Sequence, residues 1–232
     1  MSIYRKLGKI FGLLVTAALL FASLPAMSVA AEVETSVVYD AVPETLPPSM
    51  ASLGYQATST AEFGDYIQLA ASGFQADSIT VTMVTWALNS TYPTMDPAGW
   101  THPITLNIYE ALPGTPNAAG NVIISTTDTF DIPWRPEADL VNCSDNKWYA
   151  PDGTCQNGYA FNITFDLKDM DVILPEEIVI GIAYNTQTHG YAPIGTSGPY
   201  NSLNIGVEKS SSMIGVDVDT DTIYWNTTHA LF

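Results

Sequence analysis

Basic residues are scarce in this sequence of 232 residues. Seven lysines and arginines stand against twenty-four aspartates and glutamates, which gives a formal net charge of −17. Beyond residue 9 the only lysines and arginines are Arg135, Lys147, Lys168 and Lys209, spread along the chain. Nucleic acids and anionic lipids bind clustered basic residues that displace their counterions. The sequence therefore argues against both partners, and its acidity is typical of a protein that stays soluble in a salty exterior.

Long hydrophobic runs are also absent, apart from one near the N-terminus. Three basic residues in the first nine positions precede an apolar run over residues 10–20, and small residues such as Ser28 and Ala30 follow. That order predicts a secretory signal peptide over residues 1–30, cleaved after Ala30 or after the neighbouring Ala31. No later segment approaches the roughly eighteen apolar residues of a membrane span. Cleavage leaves four cations against twenty-four acids, a net charge of about −20.

The sequence has only two cysteines, Cys143 and Cys155. Downstream of a signal peptide they predict a disulfide that closes a loop of about thirteen residues and contributes roughly 3 kcal/mol. The absence of a nearby histidine argues against a tetrahedral zinc site, and redox pairs are usually spaced more closely. Within the loop, Trp148 and Tyr149 are candidates for stacking on a sugar ring. The alternative, that they cap the core beneath their own loop, is favoured.

Known catalytic motifs are missing as well. There is no G-x-S-x-G or H-E-x-x-H sequence and no phosphate-binding glycine loop. The three histidines, His102, His189 and His229, are far apart and lack metal-ligand spacing. We therefore assign no catalytic residue. A secreted carbohydrate-active enzyme, either a hydrolase or a lyase on a jelly-roll scaffold, stays open as an alternative by architecture alone.

Strict alternation of apolar and polar residues is what the sequence does contain. It is clearest in "SITVTM", "ITLNIYE" and "FNITFDL", which predict half-buried strands with one face in the core and one in water. Further predicted strands are "SVVYD", "DYIQLA", "NVIISTTDTFDI", "EIVIGIAYN", "SLNIGVE" and "TIYWN". About nine strands without helices indicate an all-β fold, a jelly-roll-like antiparallel β-sandwich. We expect one such domain over residues 31–232, truncated at its C-terminus, because the chain stops directly after a predicted strand.

Three aspartates, Asp217, Asp219 and Asp221, alternate in "GVDVDTDT". In an extended segment their carboxylates share one face, and oxygen ligands at this spacing suit Ca²⁺. The glycine and the bidentate glutamate of an EF-hand loop are both missing. An acidic strand edge that resists aggregation explains the same residues. No other cofactor is indicated.

The longest predicted loop lies in "GIAYNTQTHGYAPIGTSGPYNSLN", residues 181–204. Roughly sixteen residues separate its two flanking strands, which is more than a hairpin needs. Long loops on a rigid sandwich often hold binding groups, although Asn, Thr and Gly also build turns and tyrosines also cover cores. The candidate ligand-binding residues in this region are Tyr184, Asn185, Gln187, His189, Tyr191 and Tyr200.

Arg135 is the one arginine beyond the N-terminus, in "WRPEADLVNC". It is a candidate for a structural ion pair with Glu137 or Asp139, for stacking on an aromatic ring, or for clamping a ligand carboxylate. In a chain this poor in cations, the structural ion pair is the favoured prediction.

Several stretches together resemble a family of secreted bacterial all-β proteins of unassigned function. They are "VVYDAVPETLPPSMASLGYQATSTAEFGDYIQLA", "VTMVTWA", "FDIPWRP" with the cysteine pair that follows it, "GIAYNTQTHGYAPIG" and "GPYNSLNIGV". The resemblance covers most of the mature chain. It implies export from a bacterium and a continuation of a few dozen residues, often towards a surface-sorting signal.

These patterns predict a non-catalytic module, secreted or at the cell surface, that binds a ligand or has a structural role. The expected partner is an extracellular polysaccharide or a surface protein, and a glycan is the favoured ligand because the loop candidates are aromatic rings and amides. A self-associating extracellular structural protein is the other alternative, and it would associate through sheet edges.

Overall fold

A computed structural model of the chain describes residues 36–58, 60–112, 114–115, 118–184, 198–207, 211–220 and 222–226. The region predicted to be a signal peptide lies outside them. The strands are β1 Ser52–Gly54, β2 Glu62–Gln68, β3 Phe74–Gln75, β4 Ser78–Thr85, β5 Trp100–Ala111, β6 Ala119–Ile132, β7 Trp148–Tyr149, β8 Cys155–Gln156, β9 Tyr159–Asp166, β10 Ile173–Leu174, β11 Glu177–Tyr184, β12 Leu203–Gly206, β13 Val216–Asp217 and β14 Tyr224–Asn226. One α-helix, α1 Tyr55–Thr58, and 3₁₀ turns at Asn89–Thr91, Lys168–Met170 and Pro199–Ser202 complete the described elements.

Two antiparallel sheets form the body of the protein. The four-stranded sheet has the order β1-β12-β4-β9. The six-stranded sheet has β11 between β2 and β5, with β6 beyond β5, and both β13 and β14 pair with the other side of β2. Two short two-stranded pairs, β3 with β10 and β7 with β8, lie outside these sheets. The predicted all-β antiparallel sandwich is confirmed.

The core lies between the two sheets and follows the alternation read from the sequence. Ile104, Leu106 and Ile108 of β5 are fully buried on one side, and Met83 of β4 and Phe165 of β9 are fully buried on the other. The rings of Phe130 and Phe165 meet edge to face, with centroids 4.9 Å apart, so β6 and β9 face each other across the core. Burial of these alternating side chains holds the sheets together.

The centre of the outer face of the six-stranded sheet is covered, which corrects the expectation that the whole face is in water. The outer residues of β6, such as Ser125 and Thr129, are exposed as expected. Val179 is paired in register with Tyr66 on one side and with Tyr109 on the other. The two tyrosines are almost fully buried and pack against Val179, which has no exposed surface. Large rings on the outer strands thus cover the small side chains of the central strand. The alternation predicts which residues face the core, but it does not show what lies over the opposite face.

A buried carboxylate belongs to this covered face. Glu62 is fully buried at the start of β2, and its oxygens accept hydrogen bonds from Asn107 Nδ2 at 2.7 Å and from Tyr109 Oη at 2.9 Å. A methyl group on Gly181 of β11 would overlap the Glu62 side chain, so the glycine provides the space for it. Burial raises the pKa of Glu62, and hydrogen bonds from Asn107 and Tyr109 oppose that rise.

Both sheets end at the same edge of the sandwich, which we call the loop end. In the six-stranded sheet β11 finishes there at Tyr184. In the four-stranded sheet β4 finishes there at Thr85. A bridge between Leu88 and Arg135 joins the segment after β4 to the segment after β6. The connections over residues 86–99 and 133–158 leave from this end, and the turn Pro199–Ser202 leads into β12 there.

One strand prediction was wrong. "SVVYD" forms only an isolated bridge, between Asp40 and Ile214, and not a strand. Backbone groups of Asp40 bond to Ile214 and Met213 in the loop before β13, and the Val38 carbonyl accepts from Ala70 N–H just after β2, so the segment is held by single bonds and forms no ladder. The helix α1 was not predicted either. It has a single turn, which is too short to show a helical period.

The contact between Gly181 and Glu62 can be tested by a double-mutant cycle. We expect Gly181→Ala to lower the free energy of unfolding by about 2 kcal/mol, as overpacking of a filled site usually does. Glu62→Ala removes the obstructing side chain, so Gly181→Ala should cost less in that background, with a coupling energy of at least about 1 kcal/mol. Urea unfolding of the four proteins measures both quantities, and strictly additive effects would contradict the contact.

Candidate ligand-binding site at the loop end

Six ring-bearing side chains meet at the loop end and form what we call the aromatic cluster. His102 lies at its centre, with ring centroids 5.5 Å from Trp100, 5.8 Å from Tyr184 and 5.4 Å from Tyr200. Trp134 lies 6.4 Å from Trp100 and stacks on a further ring at 5.9 Å. The members are Tyr92, Trp100, His102, Trp134, Tyr184 and Tyr200.

The strands place these rings together for simple geometric reasons. Trp100 and His102 are the first and third residues of β5, and Ile104, which shares their face, pairs in register with Tyr184. Side chains two residues apart on a strand share a face, so both rings project between the sheets where the core ends. Trp134 lies just after β6, and its Nε1 donates to the Asp96 carbonyl at 2.8 Å. Tyr200 sits in the turn before β12.

Two polar atoms of the cluster are buried without a hydrogen-bond partner among the described residues. They are the indole Nε1 of Trp100 and the phenol oxygen of Tyr184, whose residues are 5% and 1% exposed. A buried donor that stays unpaired costs about 1–3 kcal/mol, so native proteins rarely keep one without a reason. Neighbouring Tyr55 shows the usual arrangement, since its hydroxyl donates to the Ile182 carbonyl at 2.7 Å. Burial raises the pKa of Tyr184 well above its usual value, which keeps the hydroxyl neutral.

The structure brings together only some of the residues singled out from the sequence. Tyr184 and Tyr200 both contact His102 in the aromatic cluster. The remaining loop candidates, Asn185, Gln187, His189 and Tyr191, lie outside the described residues.

The two aromatic residues of the disulfide loop have different environments. Trp148 is 4% exposed, its Nε1 donates to the Gly158 carbonyl at 2.8 Å, and its ring lies 5.9 Å from Tyr159. Its indole therefore caps the interior beneath its own loop, as the favoured interpretation expects. Tyr149 is 46% exposed. Of this pair, only Tyr149 offers a surface to solvent.

Trp86 is an exposed aromatic residue that the sequence analysis did not single out. It follows β4, is 46% exposed, and its backbone N–H donates to the Ser202 carbonyl at 2.8 Å, next to the turn that holds Tyr200. A Cβ at Gly158 would lie 2.9 Å from the Trp86 Nε1, so that glycine lets the indole approach the backbone. The signal was available in "VTMVTWALNS", where a tryptophan ends an alternating strand just before a polar turn.

A disulfide hairpin supports the loop end. Cys143 and Cys155 are bonded, as predicted, with Cα atoms 5.7 Å apart, and β7 pairs with β8 inside the loop. The Arg135 guanidinium, which is buried, donates to the Asn157 carbonyl at 2.8 Å and to the Asn146 carbonyl at 2.9 Å. Arg135 therefore holds the hairpin by hydrogen bonds to backbone carbonyls. Its role is structural, as predicted, but these bonds replace the predicted ion pair with Glu137 or Asp139.

The acids near Arg135 have other partners. The Glu137 carboxylate accepts from the backbone N–H and the hydroxyl of Ser90, at 3.0 and 2.9 Å. Asp139 caps its own turn by accepting from Asn142. Burial lowers the pKa of Arg135, and the charge of Glu137 opposes that change.

The candidate calcium ligands lie elsewhere. Asp217 belongs to β13 and accepts from the backbone N–H of Asp219 at 3.0 Å, whereas Asp221 lies outside the described residues. Burial and the negative charge of Asp217 raise the pKa of Asp65 to about 7, and Asp219 adds to the effect. The part of the chain that the structure describes contains no group of three or more acid, histidine or cysteine side chains arranged to hold a metal ion.

The chain matches no protein-family model, no curated protein sequence and no solved structure. Across the described ranges, the structure also has no helix of the length and apolarity needed to cross a membrane. The resemblance noted from the sequence thus stays a prediction.

The disulfide is expected to contribute measurable stability to the hairpin. Replacing both cysteines, Cys143→Ser with Cys155→Ser, should lower the free energy of unfolding by about 3 kcal/mol, because the unfolded chain regains the entropy of a loop of about thirteen residues. Urea unfolding of the variant and of the native protein measures this difference. An unchanged midpoint and slope would contradict the stabilising role.

Asp65 should make stability fall as the pH rises. Its folded-state pKa of about 7 lies above the ordinary value of 3.8, so the folded protein holds a proton that the unfolded chain releases. The contribution of Asp65 to the free energy of unfolding is therefore greatest below pH 4 and decreases as the pH rises towards 7. Asp65→Asn should raise the melting temperature more at pH 8 than at pH 4.5. Asp145→Asn, an exposed control with the same charge change, should not show that pH dependence, and equal behaviour of the two variants would refute the assignment.

Proposed function

We propose that this protein is a non-catalytic extracellular module that binds a glycan at the loop end of its β-sandwich. The observation that carries the proposal is the aromatic cluster around His102, in which two buried donors lack partners among the described residues. Ligand sites are typically lined by aromatic side chains with a few placed polar groups. Flat rings suit the apolar faces of pyranose sugars, and N–H and O–H donors suit sugar oxygens.

The position of the cluster supports the proposal. Binding residues are commonly carried on loops that a rigid scaffold positions, and two long described connections, residues 86–99 and 133–158, leave the sandwich at this end. Two members of the cluster, Tyr92 and Trp134, have half-buried rings, and the exposed indole of Trp86 lies on the segment after β4 at the same end. These rings are placed to contact a ligand that approaches from solvent.

An extracellular location is part of the proposal. The Cys143–Cys155 disulfide is typical of oxidising compartments. The order of basic, apolar and small residues over residues 1–30 is typical of a secretory signal peptide. A module exported from a bacterium would encounter polysaccharides at the cell surface and in its surroundings.

Catalysis has no comparable support. Glu62 has the raised pKa that a general acid needs, but it is fully buried and its oxygens are engaged by Asn107 and Tyr109. A glycosidase needs a pair of carboxyl groups that flank an accessible glycosidic bond. Glu62 has the environment of a structural carboxyl group, and we propose binding without turnover.

Substitution of Trp86, the exposed ring at the loop end, tests this proposal. We expect Trp86→Ala to weaken binding to the best ligand of a glycan array at least tenfold, because it removes an exposed ring at the loop end. Phe74→Ala is the matched control. Phe74 is 45% exposed, but it lies in β3, at the end of the sandwich opposite the loop end. Affinity electrophoresis in gels containing the polysaccharide measures both variants.

Two results would count against the proposal. The first is an array on which the mature protein binds no glycan. The second is an equal loss of affinity in Trp86→Ala and Phe74→Ala, which would mean that the loop end is not the site. Release of reducing sugar from the bound polysaccharide would instead indicate the carbohydrate-active enzyme.

A further inference from the structure

Strand β6 is the long outer strand of the six-stranded sheet. It runs over 14 residues and pairs with β5 on one side, and no described strand pairs with its other side. The opposite edge of the sheet is broken into the short strands β13 and β14. In the four-stranded sheet, the outer strand β9 is partly covered, since Ala160 N–H donates to the Pro48 carbonyl. A long open edge such as that of β6 is a template for pairing with another chain.

The register with β5 shows which backbone groups of β6 point outward. Thr129 lies opposite Pro103, which has no N–H, so the two residues form a pair without mutual hydrogen bonds. A Cβ on Gly99, just before β5, would lie 2.6 Å from the Ile132 carbonyl oxygen, so that carbonyl points towards β5. Inward and outward residues alternate along a strand, so the N–H and C=O groups of Thr127 and Thr129 point away from β5. Among the described residues, no backbone group outside β5 bonds to them.

A second copy of the chain complements this edge without opposing like charges. Antiparallel pairing of two β6 strands about a two-fold axis at Thr127 sets Phe130 opposite Ile124 and Asp128 opposite Thr126. Phe130 and Ile124 are only partly buried within one copy, and an aromatic ring opposite an isoleucine is a favourable cross-strand pair. The Thr126 hydroxyl can donate to the Asp128 carboxylate. An axis at Asp128 would instead set two carboxylates opposite each other, which is destabilising.

Hydroxyl groups extend the match on the outer face of the strand. The Thr127 hydroxyl lies 2.7 Å from that of Thr105 on β5. At the axis the two Thr127 side chains are neighbours, and a hydroxyl can donate one hydrogen bond while it accepts another. Ser125 of one copy lies opposite Thr129 of the other, so small polar side chains meet along the whole outer face of the junction.

We propose that the protein forms a two-fold symmetric dimer in which the β6 strands of two copies pair in antiparallel fashion around Thr127. The two six-stranded sheets become one continuous sheet, and the two loop ends point in opposite directions. Pairing about a two-fold axis occupies the β6 edge of both copies, so assembly stops at the dimer. The dimer forms whether or not the loop end binds a glycan.

A pair of cysteine variants tests the register. Thr127→Cys places two cysteines opposite each other with Cα atoms about 5.5 Å apart, a distance that a disulfide spans. Ser125→Cys is the matched control, because Ser125 is exposed on the same face but its two copies lie about 13 Å apart along the strands. In air, Thr127→Cys should form a covalent dimer at least about tenfold faster than Ser125→Cys, since only its thiols are within bonding distance. Non-reducing electrophoresis measures both rates.

Sedimentation of the native protein supplies a second measurement that needs no substitution. It should show a monomer–dimer equilibrium whose dissociation constant falls at least about threefold on raising the salt to roughly 0.5 M, because screening weakens the repulsion between two chains of formal net charge −17. Thr127→Pro removes an outward N–H and leaves the bonds to β5 in place, so it should sediment as a monomer. Circular dichroism melting curves establish that each variant is folded before its association is measured.

Four results would overturn the dimer. The first is a native protein that sediments as a monomer at every concentration. The second is equal crosslinking of Thr127→Cys and Ser125→Cys, which would mean random collision or another register. The third is an unchanged dissociation constant for folded Thr127→Pro, which would place the contact elsewhere. The fourth is a series of larger, open-ended assemblies, because pairing about a two-fold axis stops at two copies.

Discussion

The pairing of β11 between β2 and β5 is the interaction on which the rest of the structure depends. It places Ile178 and Ile182 on the core face and Val179 on the covered outer face. The same register sets Gly181 beneath the Glu62 carboxylate and brings Tyr184 to the loop end, beside His102. A shift of one residue would exchange the two faces, burying the small outer residues in the core and exposing isoleucines.

The loop end is stabilised by contacts that lie outside the two sheets. The Cys143–Cys155 disulfide closes the hairpin, and Arg135 ties that hairpin to the segment after β6 through carbonyl oxygens. The aromatic cluster, in contrast, keeps two buried donors without partners among the described residues, which lowers stability at the site itself. Proteins tend to keep such unfavourable arrangements at functional sites, where stabilising contacts elsewhere in the fold offset them.

The sequence predicts the long strands because their side chains alternate where one face is buried, as "FNITFDL" does in β9. It could not predict β3, β7, β8, β10 and β13, which have two residues each and no measurable period. Nor could it predict the aromatic cluster, because Trp100 and Trp134 become neighbours only through the register of β5 with β6. Trp148 shows the same limit. Its buried indole N–H donates to the Gly158 carbonyl, ten residues further along the chain, and the sequence alone does not reveal that contact.

The most direct test of ligand binding at the loop end is the indole region of a ¹⁵N–¹H correlation spectrum. The chain has five tryptophans, each with one indole N–H, and each signal can be assigned by a single substitution. On titration with a bound glycan, we expect the signals of Trp86, Trp100 and Trp134 to shift, with the largest downfield change at Trp100. The backbone N–H signals of Phe74 and Gln75 in β3, away from the loop end, should stay in place. Shifts confined to β3, or none at Trp100, would contradict the account.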